Sequence, residues 1–282
     1  MNIMEKTGKA ILTTIKYLSL AFFSFFALLP IVSCVITAFK TDREYQNTNV
    51  MTLPESWLNF SNFVDAFKKA GMARAFINST VILIFVLVFS TILGTQLAYV
   101  LDRFKFTGNK LIRNMFLFAT MLPGVAMQIS VYEIMYKLKF INSLPGYIVL
   151  MCGTDVIAIY IFIQFFENID ISLDESAIVD GASYFTIFYK ILFPLLKPAI
   201  VTSCILKGVG TYNEYYMANL YLQDKKHLAT VATSLYTFVG PLGSKYNLIC
   251  AGVIISLLPA LIVFILCQKQ IYSGLTAGSV KG

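Results

Sequence analysis

The sequence predicts an all-α integral membrane protein of six transmembrane helices, with a polar segment between the fourth and the fifth. Its 282 residues are 57% hydrophobic and only 13% charged, and its mean hydropathy is +0.73, whereas a soluble domain carries about 25% charged residues. The apolar residues gather into six runs, at about 17–39, 76–101, 111–135, 146–166, 198–221 and 248–267. Each approaches the roughly 20 residues that a helix needs to cross a bilayer. The runs form a single transmembrane domain over 1–282, with the polar segment at about 167–197.

The first run follows Lys6, Lys9 and Lys16, is longer than a signal-peptide core and has no small-residue cleavage site after it. It reads as a retained anchor with the N-terminus in the cytoplasm. Trp57, in "LPESWLNF", falls in the outer loop that follows and suits the membrane interface. After the second run, "LDRFKFTGNKLIR" concentrates Arg103, Lys105, Lys110 and Arg113, and such a cluster belongs on the cytoplasmic side. Density near the helix ends decides the orientation, because the outer loops also hold Lys68, Lys69, Arg74, Lys225 and Lys226. Six spans then return the C-terminus to the cytoplasm. Pro123 and Pro259 fall inside the third and sixth runs, where each removes a backbone hydrogen bond and favours a kink that serves either packing or gating.

Nothing in the chain has the pattern of an enzyme. There is one His, and there is no metal-ligand cluster, Gly-rich phosphate loop, nucleophile elbow or Cys pair at zinc spacing. Cys34, Cys152, Cys204, Cys250 and Cys267 lie in apolar surroundings and are odd in number, so they read as small core residues. The net charge of +7 is dispersed among loops and makes no basic face for nucleic acid.

The polar segment contains "DESAIVDGASYFTIFYKILFP" at 174–194. Ser172 and Glu175 have the spacing of a capping box, which predicts a helix from Ser172 to about Asp180. Gly181 supplies the positive φ that ends it, Ser183 caps a second helix, and Pro194 and Pro198 limit that one. Ser176 and Ala177 leave one helix face slim enough to enter a groove, with Glu175 and Asp180 as charges at its ends. A solvated interhelical loop is the plain alternative.

Glu175-Ser176-Ala177, then Asp180-Gly181-Ala182, then Ile191 and Pro194 resembles the EAA loop of permease subunits in binding-protein-dependent ABC importers. Ser176 stands where the family has Ala, and Phe193 where it has Leu. "AFKTDREY", "LAYVLDRFKFTGNK", "YNEYYMANLYL" and "QKQIYSGLTAGSVKG" extend the likeness over nearly the whole chain, and they are marks of the smaller permease of maltose-type carbohydrate importers. The resemblance implies a heterodimer with a larger permease, two cytoplasmic ATPase subunits and an external sugar-binding protein, in a bacterial cytoplasmic membrane. It implies no catalytic residue, metal or cofactor on this chain, with ATP and Mg held by the ATPase. The EAA segment becomes the coupling helix, set in a cleft of the ATPase and rigid enough to transmit its closure.

The same resemblance brings "ATVATSLYTFVGPLGSKYN" between the fifth and sixth runs toward the binding protein. Tyr236, Phe238 and Tyr246 either stack on sugar or receptor or pack the loop onto the interface, while Gly240 and Gly243 allow sharp turns. Asp155, Lys207, Asn213 and Glu214 are polar residues within spans, which are costly in lipid. Asn213 and Glu214 suit either sugar hydroxyls or helix–helix hydrogen bonds. Asp155 lies roughly 12 Å below the outer end of its run and Lys207 roughly 14 Å above the inner end of its own, at a 1.5 Å rise per residue. These depths permit a facing pair; alternatively, Asp155 faces the pathway and Lys207 meets backbone carbonyls or the other permease. Two other functions fit a helical membrane protein: an ion-coupled secondary transporter, which leaves the coupling segment without a role, and a non-transporting scaffold, which needs no charge within the bilayer.

Overall fold

The computed structural model describes residues 3–153, 155–240 and 243–277. In chain order, α1 (Ile3–Phe39), α2 (Asp42–Asn47), α3 (Ser61–Lys69) and α4 (Met72–Arg103) come first. The third run is two helices, α5 (Asn109–Met121) and α6 (Gly124–Lys137), meeting at 104°. The fourth is α7 (Leu144–Met151) and α8 (Val156–Glu167), at 47°. Then come α9 (Ser172–Val179), α10 (Tyr184–Leu195), α11 (Lys197–Tyr212), α12 (Tyr216–Tyr221) and α13 (Val231–Ser234), with α10 and α11 meeting at 73°. A two-stranded antiparallel hairpin of β1 (Val239–Gly240) and β2 (Gly243–Ser244) precedes α14 (Tyr246–Ala277). Pro241 and Leu242 of the outer-loop sequence, and the last five residues of the C-terminal tail, lie outside the described residues.

Leu12–Phe39, Met72–Arg103 and Tyr246–Lys269 are long and apolar enough to cross a bilayer as single pieces, and counting each bent pair as one span gives six. The runs read from the sequence at 111–135, 146–166 and 198–221 are each broken within their length rather than single straight helices. Pro123 has no N–H to give, and it holds Leu122 before it extended at φ −76°, ψ 127°, so the third run breaks where the sequence suggested a kink. Asp155 caps α8 with its own side chain. Asn213 ends α11, its amide bound to the Val209 carbonyl, and Glu214 Oε1 accepts from the Met217 amide in the first turn of α12. Pro259, by contrast, sits within the unbroken α14.

The chain divides into two compact units, Met1–Met72 with Leu235–Pro259, and Ala73–Ser234 with Ala260–Gly282. The first is tied by buried polar groups. The Lys40 ammonium, 1% exposed, donates to Thr48 Oγ1 (3.0 Å) and to the Asn49 carbonyl (2.7 Å). Asn62 donates to the carbonyls of Ala38 and Lys40, and Asn247 at the start of α14 donates to Asn62. A buried polar group left unpaired costs about 1–3 kcal/mol, so this network fixes the α1–α2 corner, α3 and α14 together. Thr41 and Glu44 form a reciprocal capping box on α2, and the amides of Thr41 and Glu55 hold the Glu44 carboxyl below the usual carboxylate range.

Two apolar cores lie among the described residues of the second unit. One joins Tyr99 of α4, Phe162 and Phe166 of α8, Ile187 and Phe188 of α10 and Leu196 beside α11, and it is the platform under the 167–197 segment. The other joins Val86 of α4, Met135 of α6, Tyr147 of α7 and Tyr221 of α12. In lipid the hydrophobic effect gives helices little reason to associate, so close packing must do so. A Cβ at Gly94 of α4 would lie 3.1 Å from the Phe162 ring, which is how closely α4 meets α8.

Candidate functional site

The 167–197 segment folds into a bent pair of short helices. Ser172 and Glu175 do not form the capping box that their spacing suggested: Ser172 is the first residue inside α9, and Ile171 before it is helical with no side-chain cap. Asp170 takes that role, its Oδ1 accepting from the Ser172 amide at 2.9 Å, and this hydrogen bond holds the Asp170 carboxyl below its ordinary value. Both residues fit the capping preferences; the side chain two positions earlier reaches the free amide. At the other end Gly181 has φ +81°. Its amide donates to the Ile178 carbonyl (2.9 Å) and that of Ala182 to the Ala177 carbonyl (2.9 Å). These two bonds are the Schellman pair that closes a helix on a left-handed residue. Ser183 Oγ then accepts from the Thr186 amide at 3.3 Å and caps α10.

Within α10, residues 187–192 widen into a π-helical turn in which the Phe193 amide reaches back five residues to the Phe188 carbonyl. Pro194 follows, without the N–H that a regular bond would use, and α10 runs past it to Leu195. Glu175, Ser176, Asp180, Gly181 and Pro194 are exposed, Ala182 is half-buried, and Ala177 is buried. The sequence reading missed two further features. Val179 (87% exposed) and Phe185 (75%) present large apolar side chains beside those polar groups, and Asp174 is buried against Arg103 of α4. Burial pushes the Asp174 carboxyl up, and the Arg103 charge pulls it back.

Of the four polar residues placed in the spans, two meet. Asp155 Oδ2 lies 3.9 Å from Lys207 Nζ, with the side chains 24% and 19% exposed, while Asp155 Oδ1 accepts the Ala158 amide at 3.2 Å. Asn213 is exposed, and Glu214 Oε1 accepts from the Met217 amide at 2.9 Å. The Asp155–Lys207 geometry carries a testable consequence. Removing one partner of a buried pair costs about 3–5 kcal/mol, because the other charge is left uncompensated, whereas removing both is nearly neutral; the partial exposure here places the effect at the lower end. Asp155→Asn and Lys207→Gln should each lower the yield of folded protein in detergent, and the double variant should recover it. A double variant as poor as the worse single would dissolve the pair.

In the first unit, Tyr236 and Tyr246 are exposed and Phe238 is buried. Gly240 pairs with Gly243 across the hairpin, and Gly243 has φ +129°, open to glycine alone. The Tyr246 ring lies 5.5 Å from that of Tyr45. Trp57 is exposed and packs on Phe39, with centroids 5.4 Å apart. Among the described residues no group of His, Cys, Asp and Glu could hold a metal ion.

Six spans with a capped, exposed helical element between the fourth and fifth define a multi-span helical permease. The chain belongs to the family of binding-protein-dependent transport system inner membrane components, whose profile matches residues 90–272. The arabinooligosaccharides transport system permease protein AraQ of Halalkalibacterium halodurans is 27% identical, over 99% of this chain and all of that protein. The probable ABC transporter permease protein YurM of Bacillus subtilis is 31% identical over 90% of this chain and 83% of its own length. Among solved structures, a chain of a bacterial ABC transporter that imports the acidic polysaccharide alginate superposes with a TM-score of 0.81, at 22% identity, covering 93% of this chain and 97% of that one.

Proposed function

We propose that this chain is the smaller permease subunit of an ATP-driven importer that moves a sugar or oligosaccharide, delivered by an external binding protein, across a bacterial cytoplasmic membrane. The observation that carries the reading is α9. It is capped at Asp170, locked at Gly181 and seated on a buried core, and it exposes Glu175, Ser176 and Asp180 next to Val179 and Phe185. A helix ended by a fixed turn transmits a push, whereas a loose loop absorbs it. Exposed apolar side chains in the same segment as exposed carboxylates suit the cleft of a soluble partner. That partner is a pair of ATPase subunits, which hold ATP and Mg and hydrolyse the nucleotide, while this chain supplies the lever and half of the pathway. The other half comes from the larger permease. The sugar class is supported by relatives such as the arabinooligosaccharide permease.

In this reading both termini and α9 face the cytoplasm and the β1–β2 hairpin faces the binding protein. Sidedness tests it directly. Val239 is exposed on the hairpin, whereas a Cβ at Gly240 would crowd the Gly243 carbonyl at 3.1 Å, so Val239→Cys is the cleaner probe. With the native cysteines replaced, that thiol should react with a membrane-impermeant maleimide in whole spheroplasts and crosslink to the binding protein. Ser176→Cys should react only in inverted vesicles. The reverse pattern would overturn the topology, and external labelling without a crosslink would remove the hairpin contact alone.

A further inference from the structure

α9 buries only two of its side chains, Asp174 and Ala177. Ala177 contributes a single methyl group, so the grip of the protein on this helix rests largely on Asp174. Its partner is Arg103, the last residue of α4, and both side chains are 10% exposed. Arg103 Nε lies 3.3 Å from Asp174 Oδ2. Nη1 lies 3.0 Å from Asp102 Oδ2, and Nη2 donates to the Ile169 carbonyl at 2.8 Å. The guanidinium carbon stands 6.0 Å from the centre of the Phe166 ring. One planar group therefore joins the end of α4, the end of α8 and the first turn of α9. The second limb of the segment is held from the same place: Phe104 packs edge-on against Tyr184 with ring centres 5.2 Å apart, and Tyr99 lies tilted on Phe188 at 5.2 Å.

A buried ion pair is weak evidence for stability, since apolar side chains of the same volume hold a fold as well or better. What a guanidinium adds is direction, because its five donors form a fixed fork where an ammonium is a point charge. The Arg103 Nε and Asp174 Oδ2 atoms make no aligned hydrogen bond with each other; it is the bonds of Nη1 to Asp102 and of Nη2 to the Ile169 carbonyl that fix the plane of the guanidinium and so hold its charge against Asp174. We propose that Arg103 is a positioning residue of energy coupling. It clamps α9 to the cytoplasmic end of α4, so that a displacement imposed on α9 is delivered to the second span. This rests on the coupling reading above and names the joint through which the movement passes.

The test uses the whole transporter, with both permeases, the ATPase pair and the binding protein, in lipid nanodiscs, and it scores each assembled complex. Arg103→Lys keeps the charge and loses the fork, and Asp174→Asn keeps the shape and loses the charge. Both should still bring down the ATPase. Both should lower the stimulation of ATP hydrolysis by sugar-loaded binding protein by about two- to thirtyfold, the range in which coupling variants act. Wild-type stimulation per assembled complex in Arg103→Lys would overturn the proposal. A measurement on the intact joint covers the case of variants that do not assemble: spin labels at the exposed Leu173 of α9 and Val100 of α4 should keep one separation between the resting and the vanadate-trapped complex. A change in that separation would mean that α9 slides on α4, and the clamp would be refuted. If Glu175→Lys leaves ATPase recovery unchanged, the docking reading itself fails; if it abolishes recovery while Arg103→Lys couples normally, only the clamp fails.

Discussion

Gly181→Val is expected to abolish sugar uptake and to strip the ATPase from the purified complex. Gly181 holds φ at +81°, where a side chain costs about 1–3 kcal/mol and a β-branched one stands at the top of that range. A Cβ there meets nothing within 4 Å, so the penalty is entirely in the backbone and no neighbour can relax to relieve it. The chain escapes by opening the turn, which loses the two amide bonds to Ile178 and Ala177 and frees the end of α9. A shift of about 2 kcal/mol toward the open turn lowers the docked population more than tenfold. Asn tolerates the left-handed region, so Gly181→Asn should retain most activity. Recovery of the ATPase by affinity pull-down, with uptake in the same strains, is the measurement. Equal loss in the Asn and Val variants would mean that surface chemistry, and not backbone angle, matters there.

Gly146→Ala is expected to prevent accumulation of folded protein. Gly146 lies in the first turn of α7, its amide bound to Ser143 Oγ at 3.3 Å. A Cβ there would collide with the Phe140 carbonyl oxygen and come within 2.8 Å of Phe140 Cα. Those atoms are backbone, in a turn held by left-handed Lys139 and Asn142. Asn142 is itself fixed at both ends, its amide on the Tyr221 carbonyl (2.8 Å) and its side chain accepting from the Asp224 amide (2.7 Å). Nothing nearby can yield cheaply, so the cost should reach or pass the upper end of the about 1–3 kcal/mol typical of overpacking. Gly124→Ala, where a Cβ meets open space, is the control and should be neutral. Monodispersity and thermal midpoint in detergent would separate the two; a normal Gly146→Ala protein would mean that α7 and the Phe140 turn are not so closely joined.

Local chemistry in the sequence located what local chemistry decides. Gly181 and Ser183 take their expected roles, since a positive φ and a hydroxyl cap are short-range demands. The six apolar runs and the family resemblance were legible for the same reason. The bend at Pro123 was legible as a kink, but the breaks at Asp155 and Asn213 were not, because hydropathy measures how apolar a run is and is blind to its direction. Proline marks a break at Pro123 and lies within the unbroken α14 at Pro259, so the residue type alone does not decide. The capping residue was misplaced by two positions because Asp170 and Ser172 both satisfy the rule and only the fold chooses between them. Nothing in the sequence sets Asp174 apart from Glu175, and its burial against Arg103 joins residues 71 positions apart in sequence, a pairing that no spacing rule reaches.

In the proposed mechanism, ATP hydrolysed on a partner is turned into sugar movement through α9. This coupling is tested most directly by uptake into proteoliposomes holding this chain, the larger permease and the ATPase pair, with sugar-loaded binding protein outside and ATP inside. The account predicts accumulation that needs both ATP and the binding protein, survives collapse of ion gradients and disappears with Gly181→Val. Accumulation driven by an ion gradient without ATP, or undiminished by Gly181→Val, would contradict it.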